Sequence, residues 1–164
     1  MTHVEPPQGE PVREVGLRQN GHSVWFRNTH RNKRCITLNL KTPEAREVFM
    51  TLARGADVIV EAFRPGVVER LGIGYEAVKA VNPRIVYGSI SAFGQTGPLA
   101  HKPAHDLSVQ AEAGLVSVNL GPDGQPAMPG VPSADMLQGL LGGGAGGSGP
   151  KPAGDKDAKK SATA

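Results

Sequence analysis

The chain's 164 residues are enough for one ordinary domain, but residues 142–164, GGGAGGSGPKPAGDKDAKKSATA, hold no apolar side chain larger than Ala or Pro and read as a disordered tail. Of the formal charge of +3, the tail supplies +2 through four Lys against two Asp from Lys151 onward, so the body at +1 gives no electrostatic case for nucleic acid. A single cysteine, Cys35, excludes an internal disulfide and a multi-thiolate metal site, and no apolar run approaches a membrane span, which together point to a reducing, cytoplasmic setting.

Residues 1–31 carry Pro6, Pro7, Gly9, Pro11, Gly16 and Gly21 with little periodicity, and read as an extended connecting segment. Arg34 to Leu40 alternates and predicts a strand. Thr42 and Pro43 then supply a helix cap and first helical residue, and Ala45, Val48, Phe49 and Leu52 one apolar face ending at Gly55. Asp57 to Glu61 predicts a second strand, whose β-branched run Val58, Ile59, Val60 suits a parallel strand covered on both faces. Tyr75 to Val81 predicts a short helix closed by Asn82 and Pro83, and Arg84 to Ile90 a third strand. A last apolar helix is expected over Ala134 to Leu141.

Strands alternating with helices argue for an α/β fold with a parallel sheet. In such sheets the crevice lies where loops leave the carboxyl ends of the strands. Those loops are Ala62 to Gly66, which holds Arg64, and Ser91 to Pro98. Asp135, in VPSADM, then offers a lone carboxylate, and the combination suits a phosphate-bearing acyl donor. Asp135 or Ser133 also reads simply as a helix cap. His3, His22, His30, His101 and His105 are scattered without paired ligand spacing, so no metal site is expected.

The segments VEPPQGEPVRE, NKRCITLNLKTPEAREV, ADVIVEAFRPGVVERLGIGYEAV, NPRIVYGSISAFGQTGP, HDLSVQAEAGL and DGQPAMPGVPSADMLQGLLG, in order over about Val4 to Gly142, resemble the family III coenzyme A transferases of the CaiB/BaiF type, which include formyl-CoA transferase and the 2-methylacyl-CoA racemases. The resemblance implies a partial Rossmann-like α/β domain for CoA over residues 32–141. It lacks the family's first strand-helix unit and its C-terminal half, so the chain reads as a fragment. It also implies acyl-CoA and a carboxylate as substrates, no tightly bound cofactor, and interlocked homodimers for the full-length members.

By the same resemblance Asp135 corresponds to the nucleophile that attacks the acyl-CoA thioester, giving a mixed anhydride and then an enzyme-bound CoA thioester. Leu38, Lys41, Phe63, Arg70 and Lys102 fall at or near CoA-contact positions. Each also has a plainer reading: Leu38 as core, Lys41 and Arg70 as helix-end charges, Phe63 as a plug at the strand end. Ala62 stands where the family usually has Asn, and Pro6 where a basic residue can stand. In the racemase branch a histidine at the His105 position and an aspartate thirty residues later act as opposed acid and base, which makes racemization with His105 and Asp135 the alternative activity. A non-catalytic truncated remnant is the third reading.

Overall fold

A strand, β1 (Thr2–Glu5), opens the chain in the computed structural model, which describes residues 1–137. The first 31 residues are therefore not an extended connection. After β1 come a 3₁₀ turn at Pro11–Arg13, the short strands β2 (Arg18–Gln19) and β3 (His22–Ser23), and the helix α1 (Val24–Thr29). β2 and β3 form an antiparallel hairpin across Asn20-Gly21, where φ is 51° and 77°, the two left-handed positions that a tight hairpin turn requires. Ser23 then caps α1: its Oγ accepts from the Phe26 N–H at 3.2 Å and donates to the Val15 carbonyl at 2.7 Å.

The chain divides at Pro103 into two units, each with its own packing. In the first, β1 pairs in parallel with β4 (Arg34–Thr37), from Thr2 opposite Arg34 to Glu5 opposite Thr37. Helix α2 (Pro43–Arg54) starts as expected, with Thr42 Oγ1 accepting from the Ala45 N–H at 3.4 Å and Pro43 as first helical residue. Strand β5 (Val58–Glu61), the five-residue helix α3 (Val67–Leu71), helix α4 (Tyr75–Val81) and strand β6 (Val86–Ser89) follow. β5 and β6 are parallel, in register from Val58 opposite Val86 to Glu61 opposite Ser89.

Ala53, Val78 and Ile85 form the core between α2, α4 and this pair, with Phe49, Met50, Ile59 and Tyr87 packed against it. Asn82 ties the same elements by backbone: its Nδ2 donates to the Ala53 carbonyl at 3.0 Å and the Ala56 carbonyl at 2.7 Å, satisfying acceptors at the end of α2. Two expectations are corrected here. The buried face of α2 carries Ala45 and Ala53, whereas Val48 and Leu52 are exposed. Likewise β5 is covered on one face only, since Val58 and Val60 are 56% and 63% exposed while Ile59 packs inward.

The second unit holds α5 (Asp106–Glu112), α6 (Leu115–Val118) and a loop closed by a bridge between Leu120 and Pro126. Residues 133–137 are helical; the rest of the helix expected to Leu141, and the tail over residues 142–164, lie outside the described residues.

At the end of β1, Glu5 is buried and pairs with Arg13 through two contacts, Nε to Oε2 at 2.8 Å and Nη2 to Oε1 at 2.5 Å, while Oε2 also accepts from the Glu10 N–H at 3.1 Å. The Arg13 hydrogen bond holds the Glu5 carboxyl down at about 2, against the opposing effect of burial. A carboxylate with a depressed folded pKa stabilises the fold above its unfolded value, and that contribution disappears as pH falls toward the folded one. Denaturant unfolding should therefore show stability falling between pH 4.5 and about 2. Arg13→Gln should lose about 2 kcal/mol at pH 7 and flatten this part of the profile.

Candidate active site

Parallel pairing sends the loops after β5 and β6 out of the same end of the pair, and the Ile90 N–H, bonded to the Glu61 carbonyl at 2.9 Å, extends the ladder to where they part. The Glu61 carboxylate accepts from the Phe63 N–H at 2.7 Å, which fixes the start of the first loop and leaves the Phe63 ring 43% exposed. Phe63 is thus no buried plug. The loop turns at Gly66, whose φ of 80° places it in the left-handed region, and Arg70 folds back so that its Nη1 would lie 3.2 Å from a Cβ at this position. Phe63, Arg64 and Arg70 therefore belong to one loop-and-helix turn.

Leu38 follows β4, with its N–H bonded to the Glu5 carbonyl at 2.9 Å, and is half-buried. Lys41 is exposed in the next turn, which Asn39 shapes by accepting from the Lys41 N–H at 3.3 Å. Among the described residues Lys41, Arg64 and Arg70 make no ion pair, so their charges are available to an anion. Lys102 is also exposed, with Nζ 5.6 Å from the centre of the Phe93 ring in the loop after β6. All five expected CoA-contact residues thus lie in the first unit, and His105 and Asp135 in the second.

In the second unit the short helical stretch containing Asp135 is organised from α5. The Asp106 carboxylate accepts from the Asp135 N–H at 2.9 Å through one oxygen and from Gln110 Nε2 through the other. Buried Gln110 in turn donates to the Val131 carbonyl at 3.2 Å. The cap at this helix start is therefore Asp106; among the described residues Ser133 Oγ has no hydrogen-bond partner, and the Asp135 side chain is exposed. Local sequence offered no sign of Asp106 and Gln110 in this role, because 29 and 21 residues separate the bonded partners.

The surroundings of Asp135 work against ionisation of its carboxyl. Although the side chain reaches solvent, the chain around it removes part of the carboxylate's hydration and Asp106 adds like-charge repulsion. Both raise the Asp135 pKa, and nearby His105 acts in the opposite sense. His105 itself is exposed at the start of α5, with its N–H donating to Ser108 Oγ at 3.4 Å.

Scattered histidines gave no expectation of a metal cluster, yet the fold gathers His3, Glu10 and His30 in the first unit. Burial lowers the His30 pKa, with Glu10 opposing. The signal was absent from local spacing, since strand pairing and the turn of α1 bring the three together.

Residues 1–146 match the model of CoA-transferase family III. The acetyl-CoA:oxalate CoA-transferase of Acetobacter aceti is 45% identical over 137 residues, covering 83% of this chain and 35% of that protein. The succinyl-CoA:glutarate CoA-transferase of Mus musculus is 38% identical over 137 residues, covering 83% of this chain and 31% of its own length. Among solved structures, a hypothetical protein from Mycobacterium tuberculosis superposes with a TM-score of 0.78 at 34% identity, over 88% of this chain and 40% of that one. A CaiB/BaiF family protein from Brucella suis gives 0.74 at 32% identity, over 86% and 43%. The chain spans about a third of the length of the curated relatives it matches. With the parallel strands, the strand-end loops and these likenesses in agreement, the chain belongs to CoA-transferase family III.

Proposed function

We propose that the chain is part of a CoA-transferase that moves CoA from an acyl-CoA thioester to a free carboxylic acid, with Asp135 as the carboxylate that carries the CoA between them. The observation that carries this reading is the division of labour around Asp135. Asp106 and Gln110 hold its backbone, and its carboxylate is left exposed instead of being consumed as a helix cap.

The chemistry balances without a resident cofactor. The Asp135 carboxylate attacks the thioester carbonyl, forming a mixed anhydride and expelling CoA thiolate. The thiolate then attacks the aspartyl carbonyl, releasing the donor acid and leaving an aspartyl-CoA thioester. The acceptor carboxylate repeats the two steps in reverse order, regenerating Asp135 and giving the new acyl-CoA. CoA phosphates suit the unpaired cations Lys41, Arg64 and Arg70, joined in the proposal by Lys102, while Phe63 and Leu38 offer apolar surface to the pantetheine and adenine. Calorimetry of CoA binding should show Lys41→Ala and Arg70→Ala each weakening affinity by roughly tenfold.

A second reading rests on the placement of His105 and Asp135 in one unit, an imidazole and a carboxylate of the kinds that serve as acid and base. On this reading the pair exchanges the proton at the acyl α-carbon. One experiment separates the two. Incubated with acyl-CoA in heavy water and then hydroxylamine, a transferase forms a hydroxamate on Asp135, seen by peptide mass and absent in Asp135→Asn. A racemase instead washes deuterium into the α-carbon, with loss of exchange in His105→Ala. The chain itself is tested first, then the Acetobacter aceti transferase carrying residues 1–137 of this chain in place of its own counterpart.

As a nucleophile Asp135 must be ionised, so its neighbours set the lower end of the working pH range. Carboxyl NMR titration should show Asp106→Asn lowering the Asp135 pKa by removing like charge, while the amide oxygen still accepts from the Asp135 N–H. His105→Ala should raise it.

A further inference from the structure

His3, Glu10 and His30 reach one point from three different elements. His3 lies on β1, opposite Cys35 of β4. Glu10 is placed just before the 3₁₀ turn by its own N–H, which donates to Glu5 Oε2 at 3.1 Å. His30 is the C-cap of α1, with its N–H bonded to the Phe26 carbonyl at 2.9 Å. The ligand atoms all lie within 4.8 Å of one another, with His3 Nε2 3.3 Å from Glu10 Oε2 and His30 Nε2 3.0 Å from Glu10 Oε1.

These contacts are close, but they are not hydrogen bonds. His3 Nε2 and Glu10 Oε1 are both buried and neither has a hydrogen-bond partner among the described residues. Buried polar atoms that face one another without a hydrogen bond leave a place for an ion between them. At 3.0 and 3.3 Å the imidazole nitrogens and the two Glu10 oxygens are spaced as ligands of a common cation are. Bonds of about 2.0–2.1 Å in a tetrahedron give ligand-to-ligand edges of roughly 3.3 Å. The two short contacts run to different Glu10 oxygens and the ligand atoms lie within 4.8 Å of one another, so closing every edge to that length needs side-chain movements of up to about 1.5 Å.

The surroundings suit ligation. The His30 side chain is only 9% exposed, and its Nδ1 lies 3.2 Å from the Phe26 carbonyl and 2.9 Å from Thr29 Oγ1. A backbone carbonyl behind Nδ1 fixes the tautomer that presents the Nε2 lone pair, the arrangement found behind metal-bound histidines. Phe26 stacks on the His30 ring at 4.2 Å and His3 meets its edge at 4.7 Å, so the imidazoles have little freedom to turn away. Glu5 is engaged by Arg13, which leaves Glu10 as the anion of the cluster; Lys33 acts on His30, and Arg13 acts on Glu10 as well as on Glu5.

We propose that His3, Glu10 and His30 bind one divalent transition-metal ion of the zinc class, through two imidazole Nε2 atoms and a carboxylate, with the fourth position open to solvent. Two imidazoles and one carboxylate suit a borderline ion; magnesium and calcium favour all-oxygen sets and copper(I) favours sulfur. The ion ties the start of β1 to the end of α1, so its role is to fix the N-terminal segment, independent of the transferase chemistry at Asp135.

The test is titration of the purified full chain with Zn²⁺ in competition with a chromophoric chelator. One equivalent should bind with a micromolar or tighter Kd, and the melting temperature should rise on binding. His3→Gln and His30→Gln should each weaken binding by at least about tenfold, and His101→Gln, at an exposed histidine outside the cluster, should not. Glu10→Gln preserves shape and removes only charge, so weakened binding with an unchanged far-ultraviolet circular dichroism spectrum separates loss of a ligand from loss of the fold. Failure to take up a stoichiometric equivalent, or uptake unaffected by His30→Gln and Glu10→Gln, overturns the proposal.

Discussion

Parallel strand pairing is the constraint on which this structure rests. When two strands run the same way, the segments leaving them emerge together, and the chain between them must return the full length of the pair. In the β5–β6 pair this puts the Phe63 and Arg70 turn at the same end as the loop holding Phe93, which Lys102 approaches from the following turn. In the β1–β4 pair it puts the Glu5–Arg13 turn beside the segment that carries Leu38. The return path after β5 is α3 and α4, and what makes it affordable is local: Val78 is fully buried, and Asn82 closes the route by bonding two carbonyls at the end of α2.

The core supporting this arrangement is small and made mostly of small side chains. Ala45, Ala53 and Ala100 are buried beside Val68, Ile73, Val78 and Ile85, whereas Val48, Leu52, Val58, Val60 and Val86 are exposed. Full burial of a Val or Leu side chain is worth about 1.5–3 kcal/mol, so five such side chains left about half exposed represent stabilisation on the order of 5 kcal/mol that this chain does not realise. That is comparable to the whole stability of an ordinary domain. Directional contacts consequently carry unusual weight here, above all the Glu5–Arg13 pair and the Asn82 bridge.

How much could be read from sequence follows from the range of the interactions. Thr42-Pro43 and Asn82-Pro83 fixed the ends of α2 and α4 because caps and prolines act within a turn. The hairpin at Asn20-Gly21 carried an equally local signal, but its strands are two residues each and show no alternation to flank it. The apolar run of β5 identified a strand suited to parallel pairing, yet neither its partner nor which faces are covered, because both depend on packing by other elements. The residues proposed to contact CoA came from the family resemblance; Leu38, Lys41, Phe63 and Lys102 lie in loops that follow strands, and Arg70 on α3. Neither the Asp106 cap of Asp135 nor the His3–Glu10–His30 cluster was legible, since tertiary contacts between distant segments create both.

These long-range contacts share a chemical logic. Arg13 lies between Glu5, which it pairs, and the Phe26 ring, whose centre is 4.0 Å from its guanidinium carbon; Phe26 in turn stacks on His30. One cation thus satisfies the buried carboxylate that ends β1 and packs against the aromatic that orients an imidazole on α1. In the second unit Asp106 plays the matching part with the opposite sign: it accepts from Gln110 and from the backbone of Asp135, and its charge makes Asp135 harder to ionise. In each unit a charged group used for structure sets the electrostatic condition of a carboxyl beside it, Glu5 in the first and Asp135 in the second.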